Sequence, residues 1–254
     1  MAAWARWWVG RDVRLVATRR VTFPVRRSSS LFRADFVVAI SAAVRDTLVT
    51  AGVSPGEIGV VPSGIDADEV CAAAAAPLGL RARLGLPDGV PIAVNVAMLE
   101  PPKDHATLVR AAAAGRGLRP DLHWAIAGDG NGRSGLERQI RELGLGDRVH
   151  LLGYVDRVDA LIRESDVLVM PSREEGLGSV VLHALALGKP VVATRAGGLP
   201  EIVPADRLVP VGDAEALAHQ VVQTLDHPSP LPLPPRYTAS AMACGVLAAY
   251  RALV

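Results

Sequence analysis

Cysteine, lysine and long apolar runs are what this chain of 254 residues has least of. Its two cysteines, Cys71 and Cys244, stand far apart with no metal-ligand spacing around either, and read as reduced, buried thiols of a cytosolic protein. No apolar run approaches the roughly 18 to 20 uncharged residues of a membrane-spanning helix. The opening MAAWARWWVG does not read as a signal peptide, because arginine interrupts it and no apolar stretch with a small-residue cleavage site follows. A formal net charge of +1 argues against nucleic acid as the main partner. Only local basic patches remain. Arg19, Arg20, Arg26 and Arg27 either meet anionic headgroups or an anionic acceptor, as at the inner face of a membrane, or form a solvated arginine-rich loop. What is present in quantity is core: half of the residues are hydrophobic, and the mean hydropathy is +0.28. That supplies either two small domains or one large one.

Short apolar runs alternate with helical patterns along the whole length. Strands are expected at 13–17, 36–40, 58–61, 91–97, 123–127, 148–152, 166–170, 191–194 and 207–209. Helices are expected near 42–51, 105–114, 136–143, 157–164, 179–187, 213–225 and 239–252. The pattern predicts an α/β fold of parallel sheets with right-handed crossovers. Residues 62–66 read as a turn-rich hinge, and 228–235 (PSPLPLPP) as a stiff, extended connector that cannot be helical.

The most informative stretch is 171–203, PSREEGLGSVVLHALALGKPVVATRAGGLPEIV. A buried strand ends at Pro171, and the acids and glycines that follow lie at the surface, where parallel sheets bind ligands. Gly176 and Gly178 permit a tight turn with bare amides, and the helix beginning near Ser179 points its unpaired N–H groups into the same space. That helix is apolar nearly all round, stops at Gly188, and returns through Lys189 and Pro190 into a strand, so it is a buried crossover.

This segment resembles the signature of retaining GT-B nucleotide-sugar glycosyltransferases, in particular glycosyltransferase family 4. Glu175, Gly176, Gly178, Ala184, Gly188, Pro190 to Thr194, Gly197, Gly198 and Glu201 fit that pattern. His183 stands where the family has a second Glu. Upstream, VNVAMLEPPKDHATLVRAAA (94–113) resembles the family's phosphate-binding strand and turn, with Lys103 at the Lys position and Met98 where the family has Arg. Residues 34–66 resemble the last strand, helix and strand of the N-terminal domain, and 236–253 the closing helix. The resemblance implies two Rossmann-like domains, the first incomplete: 1–62 a remnant of the acceptor-side domain, 63–227 the nucleotide-sugar domain, and 228–254 a connector with the closing helix. The family's opening glycine-rich loop has no counterpart here, as in a truncated or degraded gene.

The resemblance also assigns roles. Glu175 and Lys103 are the candidate catalytic pair, Glu175 on the transferred sugar's hydroxyls and Lys103 on the donor diphosphate. Lys103, one of two lysines in the chain, opens a predicted helix capped by Asp104, where a cation opposes the helix dipole unless an anion is near. Gly176, Leu177, Gly178 and Ser179 offer backbone amides to sugar and phosphate; such donors stabilise charge on the leaving group. Gly128, in the family's G-D-G loop, lies beside the nucleotide, and Tyr154 and Val155 lie where the base is read through the backbone. His183 either reaches the ribose hydroxyls or is an ordinary helix histidine. His105 reads as a packing or capping residue.

A rival motif is Gly130-Asn131-Gly132-Arg133-Ser134-Gly135, which satisfies G-x-G-x-x-G with Asp156 at a ribose-binding distance. Taken alone it suggests a dehydrogenase. Against that, it follows the second strand of its domain rather than the first, and its glycines then serve a turn. The expected function is transfer of a sugar from a nucleoside diphosphate sugar to a glycan or lipid-linked acceptor, with retention of configuration. The alternatives are a non-catalytic nucleotide-sugar-binding remnant and a nicotinamide-dependent oxidoreductase. No metal is implied, since no Asp-x-Asp stands at a strand end, and no cofactor beyond the donor co-substrate.

Overall fold

The computed structural model describes residues 13–26 and 29–253, so the opening decapeptide and Arg27 of the basic patch lie outside the described residues. Strands β1 (Val16–Arg19), β2 (Phe36–Ala39) and β3 (Ile58–Val60) form a parallel sheet in that order, with helix α1 (Ala42–Thr50) crossing from β2 to β3. A second sheet contains β4 (Ile92–Val96), β5 (His123–Ala127), β6 (Val149–Gly153), β7 (Val167–Met170), β8 (Val191–Thr194) and β9 (Leu208–Val209). Its order is β6-β5-β4-β7-β8-β9, parallel throughout.

Strand periodicity of two explains how this second sheet is covered on both faces. Ala93, Trp124, Ile126, Val167, Val169 and Val192 pack under α4 (His105–Gly115), α5 (Arg133–Glu142) and α8 (Ala214–Asp226). The alternate residues Ile92, Val94, Ala125, Leu168, Met170 and Val191 pack under α6 (Val158–Glu164) and α7 (Ser179–Ala186). The same apolar cluster runs on into Val37, Ala39, Val44 and Leu48 of the first sheet and α1, so the two sheets share buried surface.

Two short helices escaped the sequence reading. Helix α2 (Ala67–Ala73) is capped by Asp66, whose carboxylate accepts from the amides of Asp68 and Glu69, so the residue read as the end of a turn is a helix start. Helix α3 (Leu80–Arg83) takes its cap from far along the chain. The Glu164 carboxylate accepts from the amides of Leu78, Gly79 and Leu80. Strand β1 begins at Val16 rather than at residue 13, because the Leu15 amide is drawn to the Asp35 carboxylate at 2.7 Å just before pairing with β2 starts. Helix α5 begins at Arg133 rather than at 136, so the last glycine of the G-x-G-x-x-G string lies inside its first turn.

The segment read as a hinge, 62–66, is tied to the C-terminal part of the chain. Ile65 forms an isolated parallel bridge with Thr238, and a Cβ on Gly64 would stand 2.1 Å from the Thr238 carbonyl oxygen. Helix α9 (Ala239–Arg251) then packs back on the first sheet, where a Cβ on Gly245 would meet Val61 Cγ1 at 2.8 Å. Both cysteines correct the sequence reading: Cys71 on α2 is half-buried and Cys244 on α9 is exposed, because α9 turns that face away from the core. Among the described residues no helix is long and apolar enough to cross a membrane.

Candidate functional site

In the six-stranded sheet the strand order reverses between β4 and β7, and such a reversal opens a crevice at the carboxyl ends of the strands. The loops leaving these two strands carry Lys103 and Glu175. Lys103 Nζ lies 2.6 Å from Glu175 Oε2, with the lysine side chain 27% and the carboxylate 11% exposed. The expected anion beside Lys103 is therefore Glu175 itself in the ligand-free protein. Ser172 Oγ approaches the same carboxylate oxygen at 3.4 Å.

Backbone geometry holds the two loops in register. Asp104 adopts a left-handed conformation (φ 47°), caps α4 through the Thr107 amide, and accepts from Arg173 Nε at 2.8 Å. The Arg173 amide donates to the Pro102 carbonyl at 2.8 Å. Beneath the second loop lie Gly197 and Gly198. A Cβ at Gly197 would fall 1.8 Å from the Glu175 carbonyl oxygen, and one at Gly198 would fall 2.4 Å from that of Gly176. Only glycine admits so close an approach.

The remaining expected residues divide into those that face the crevice through backbone and those held elsewhere. Gly178 (φ 88°) precedes α7, Ser179 is exposed, and among the described residues no side chain caps the first amides of that helix. Leu177 contributes only main chain, because its side chain is 2% exposed and packs in the core. Gly176 is buried against the first sheet, where a Cβ would meet the Arg20 carbonyl oxygen at 2.1 Å. Gly128 (φ 140°) lets the loop after β5 pass the β4 loop, a Cβ there falling 1.9 Å from the Ala97 carbonyl oxygen. Tyr154 is 82% exposed, and Val155, half-buried, leans on the core.

Two positions, Met98 and His183, depart from the family pattern, while His105 packs as expected. Met98 is 60% exposed, an uncharged side chain where the family pattern has Arg. His183 Nδ1 lies 2.7 Å from Asp159 Oδ1 on α6, so the ring is oriented by a carboxylate that sequence reading did not connect to it. His105, on the first turn of α4, is 3% exposed and its Nε2 has no hydrogen-bond partner among the described residues. Burial first, and the Lys103 charge second, lower its pKa to about 4 against the opposing pull of Asp104. The glycines of the rival motif do pack a turn. Gly130 and Gly132 each approach the Leu99 carbonyl oxygen so closely that a Cβ would stand at 2.8 Å.

One residue of this site, Ser41, was not singled out from the sequence, and Glu201 was read only as part of the family pattern, without its partners. Ser41, the N-cap of α1, donates from Oγ to the Gly176 carbonyl oxygen at 2.6 Å. Glu201 accepts from the amides of Ala42 and Ala43, both at 3.0 Å. A serine before a helix and the last acid of the Gly-Gly-x-x-Glu string were the available signals.

The family model for glycosyl transferases group 1 matches residues 79–246. A 2-deoxystreptamine glucosyltransferase of Streptomyces kanamyceticus is 34% identical over 186 residues, covering 71% of this chain and 48% of the relative. A GDP-mannose-dependent alpha-(1-6)-phosphatidylinositol monomannoside mannosyltransferase of Mycolicibacterium smegmatis is 34% identical over 179 residues, covering 67% and 47%. Among solved structures, Anabaena Alr3699/HepE in complex with UDP and glucose superposes with a TM-score of 0.76 at 24% identity, covering 98% of this chain and 70% of that one. The chain spans about half the length of the curated relatives it matches. The fold is thereby of GT-B type, two Rossmann-like domains built on the two parallel sheets.

Proposed function

The chain belongs to the glycosyl transferases group 1 family, and from that premise we propose that its crevice binds a nucleoside diphosphate sugar and delivers the sugar to an acceptor hydroxyl with retention of anomeric configuration. One observation carries this reading: Lys103 and Glu175 meet at 2.6 Å at the reversal point of the sheet, beside the uncapped first turn of α7. A diphosphate there receives the ammonium of Lys103 and the amides at Gly178 and Ser179, replacing the interaction with Glu175 by one with phosphate oxygen. Glu175 is then free to accept from sugar hydroxyls.

In the transfer, the bond from the anomeric carbon to the diphosphate oxygen breaks early, and the acceptor oxygen forms its bond on the same face. The leaving phosphate oxygen takes the acceptor's proton. Lys103 and the α7 amides stabilise the negative charge that builds on the leaving group, the largest catalytic demand of such a step. The base is held by backbone at Gly128, Tyr154 and Val155, and His183, fixed by Asp159, meets the ribose. The relatives whose names specify a donor act with GDP-mannose, and the HepE complex holds UDP; both nucleotide classes therefore belong in the assay. The cytoplasm is the proposed compartment, and a glycan or lipid-linked alcohol the proposed acceptor.

Met98 and His183 favour a second reading, donor binding without transfer, since each replaces an ionised side chain of the family pattern with a weaker one. Incubation with UDP- and GDP-sugars and a panel of alcohol acceptors, followed by proton NMR of the product, tests the two. Transfer with the donor's anomeric coupling constant preserved supports the enzyme. Donor binding with no nucleoside diphosphate released under any acceptor supports the second reading, and an inverted product overturns the retaining mechanism.

A further inference from the structure

The loop that bears Glu175 is not held by its own sheet alone. Its Gly176 carbonyl accepts a 2.6 Å hydrogen bond from Ser41 Oγ, a fully buried side chain 135 residues away on the first sheet's helix. The same oxygen atom of Ser41 accepts from the Val44 amide at 3.1 Å, so it is fixed on both sides. Next to it, the two carboxylate oxygens of Glu201 divide between the amides of Ala42 and Ala43. These are the first open N–H groups of α1, where the helix dipole favours a negative charge. Glu201 is in turn anchored through its carbonyl, which accepts from Tyr237 Oη at 2.8 Å and from Arg236 at 2.5 Å. Between the two ties lies the stack already described, Gly197 and Gly198 against the carbonyls of Glu175 and Gly176.

We infer that Ser41 and Glu201 are positioning residues for the donor loop: together they use the N-terminus of α1 as a peg that fixes Gly176, and through it Glu175, across the boundary between the two sheets. Neither touches Lys103 or the open turn of α7. Their effect on the donor passes through the loop, and this part of the inference rests on the function proposed above. The mechanical part does not. Movement of one sheet relative to the other breaks the Ser41 and Glu201 contacts together and releases the loop.

Hydrogen exchange in the full, ligand-free chain tests the mechanical part. Ser41→Ala removes the donor, and Glu201→Gln keeps the shape but leaves one α1 amide facing an NH2 group. Each variant is expected to raise amide exchange within 171–180 roughly ten-fold, the loss of about one buried hydrogen bond, while exchange within 123–140 stays at the wild-type rate. Ser41→Thr, which retains the hydroxyl, restores protection. Unchanged exchange at 171–180 in both variants, or an equal rise in both segments, overturns the inference. UDP and GDP titrations run alongside separate the two claims. If wild type binds either nucleotide, the variants weaken that binding with Lys103 intact. If wild type binds neither, the donor reading fails while the exchange result still decides the positioning role.

Discussion

His105 sits where burial and a neighbouring cation both act against its proton. With 3% of its surface exposed and Lys103 close by, its pKa falls to about 4. The unfolded chain takes up this proton near pH 6.5 and the folded chain does not until about pH 4. Stability from this residue is therefore complete above pH 6.5 and is lost progressively as pH falls toward 4, by about 3 kcal/mol in total. Urea unfolding between pH 7 and pH 4.5 checks this. His105→Gln should show a shallower loss of stability than wild type over that window, and an identical slope would place the His105 proton elsewhere. His123 and His150, stacked with ring centroids 5.3 Å apart, are pushed in the same direction, chiefly by burial, and steepen the wild-type slope further.

Among the elements, the unit from β7 through α7 to β8 carries the site, and its shape depends on a glycine pair that follows it. Gly197 combines a left-handed φ of 49° with a Cβ position 1.8 Å from the Glu175 carbonyl oxygen. Gly197→Ala should cost at least about 1 kcal/mol from backbone conformation alone, a fall in melting temperature of roughly 2–4 °C. The clash also displaces Glu175 from Lys103. Nucleotide affinity should fall more than stability does, which parallel melting and titration curves measure; retained affinity would show that the glycine pair does not set the loop. This unit was legible in the sequence because every part of it is local: an apolar strand, a glycine turn, an apolar helix, a glycine stop. The resemblance set Lys103 and Glu175 in one donor site but not against each other, so their direct ion pair was not legible. The Asp159 carboxylate on His183, the Glu164 cap on α3 and the Ser41 bond to Gly176 were not legible either. Each joins residues brought together by sheet order, and no local period or spacing marks such partners. The early start of α5 was missed for a different reason, since glycines at 130, 132 and 135 read as loop although only the first two pack a turn.

Taken as a whole molecule, the chain is a two-sheet scaffold whose last helix returns to the first sheet, and whose candidate site lies at the reversal point of the second. The Ile65–Thr238 bridge and the packing of Gly245 on Val61 tie residues 62–66 to the C-terminal part of the chain. The Lys103–Glu175 crevice is proposed above as a nucleotide-sugar donor site. The most direct measurement is the melting temperature of wild type and Lys103→Ala against UDP-, GDP-, ADP- and dTDP-sugars, with NAD(H) as the redox comparator. A ligand at about 100 times its dissociation constant stabilises the folded state by roughly 2.7 kcal/mol. A donor site at Lys103 should give a shift of that order for one nucleotide class in wild type and none in Lys103→Ala. A cooperatively melting wild-type protein that responds to no nucleotide sugar, or responds equally with and without Lys103, would contradict that reading.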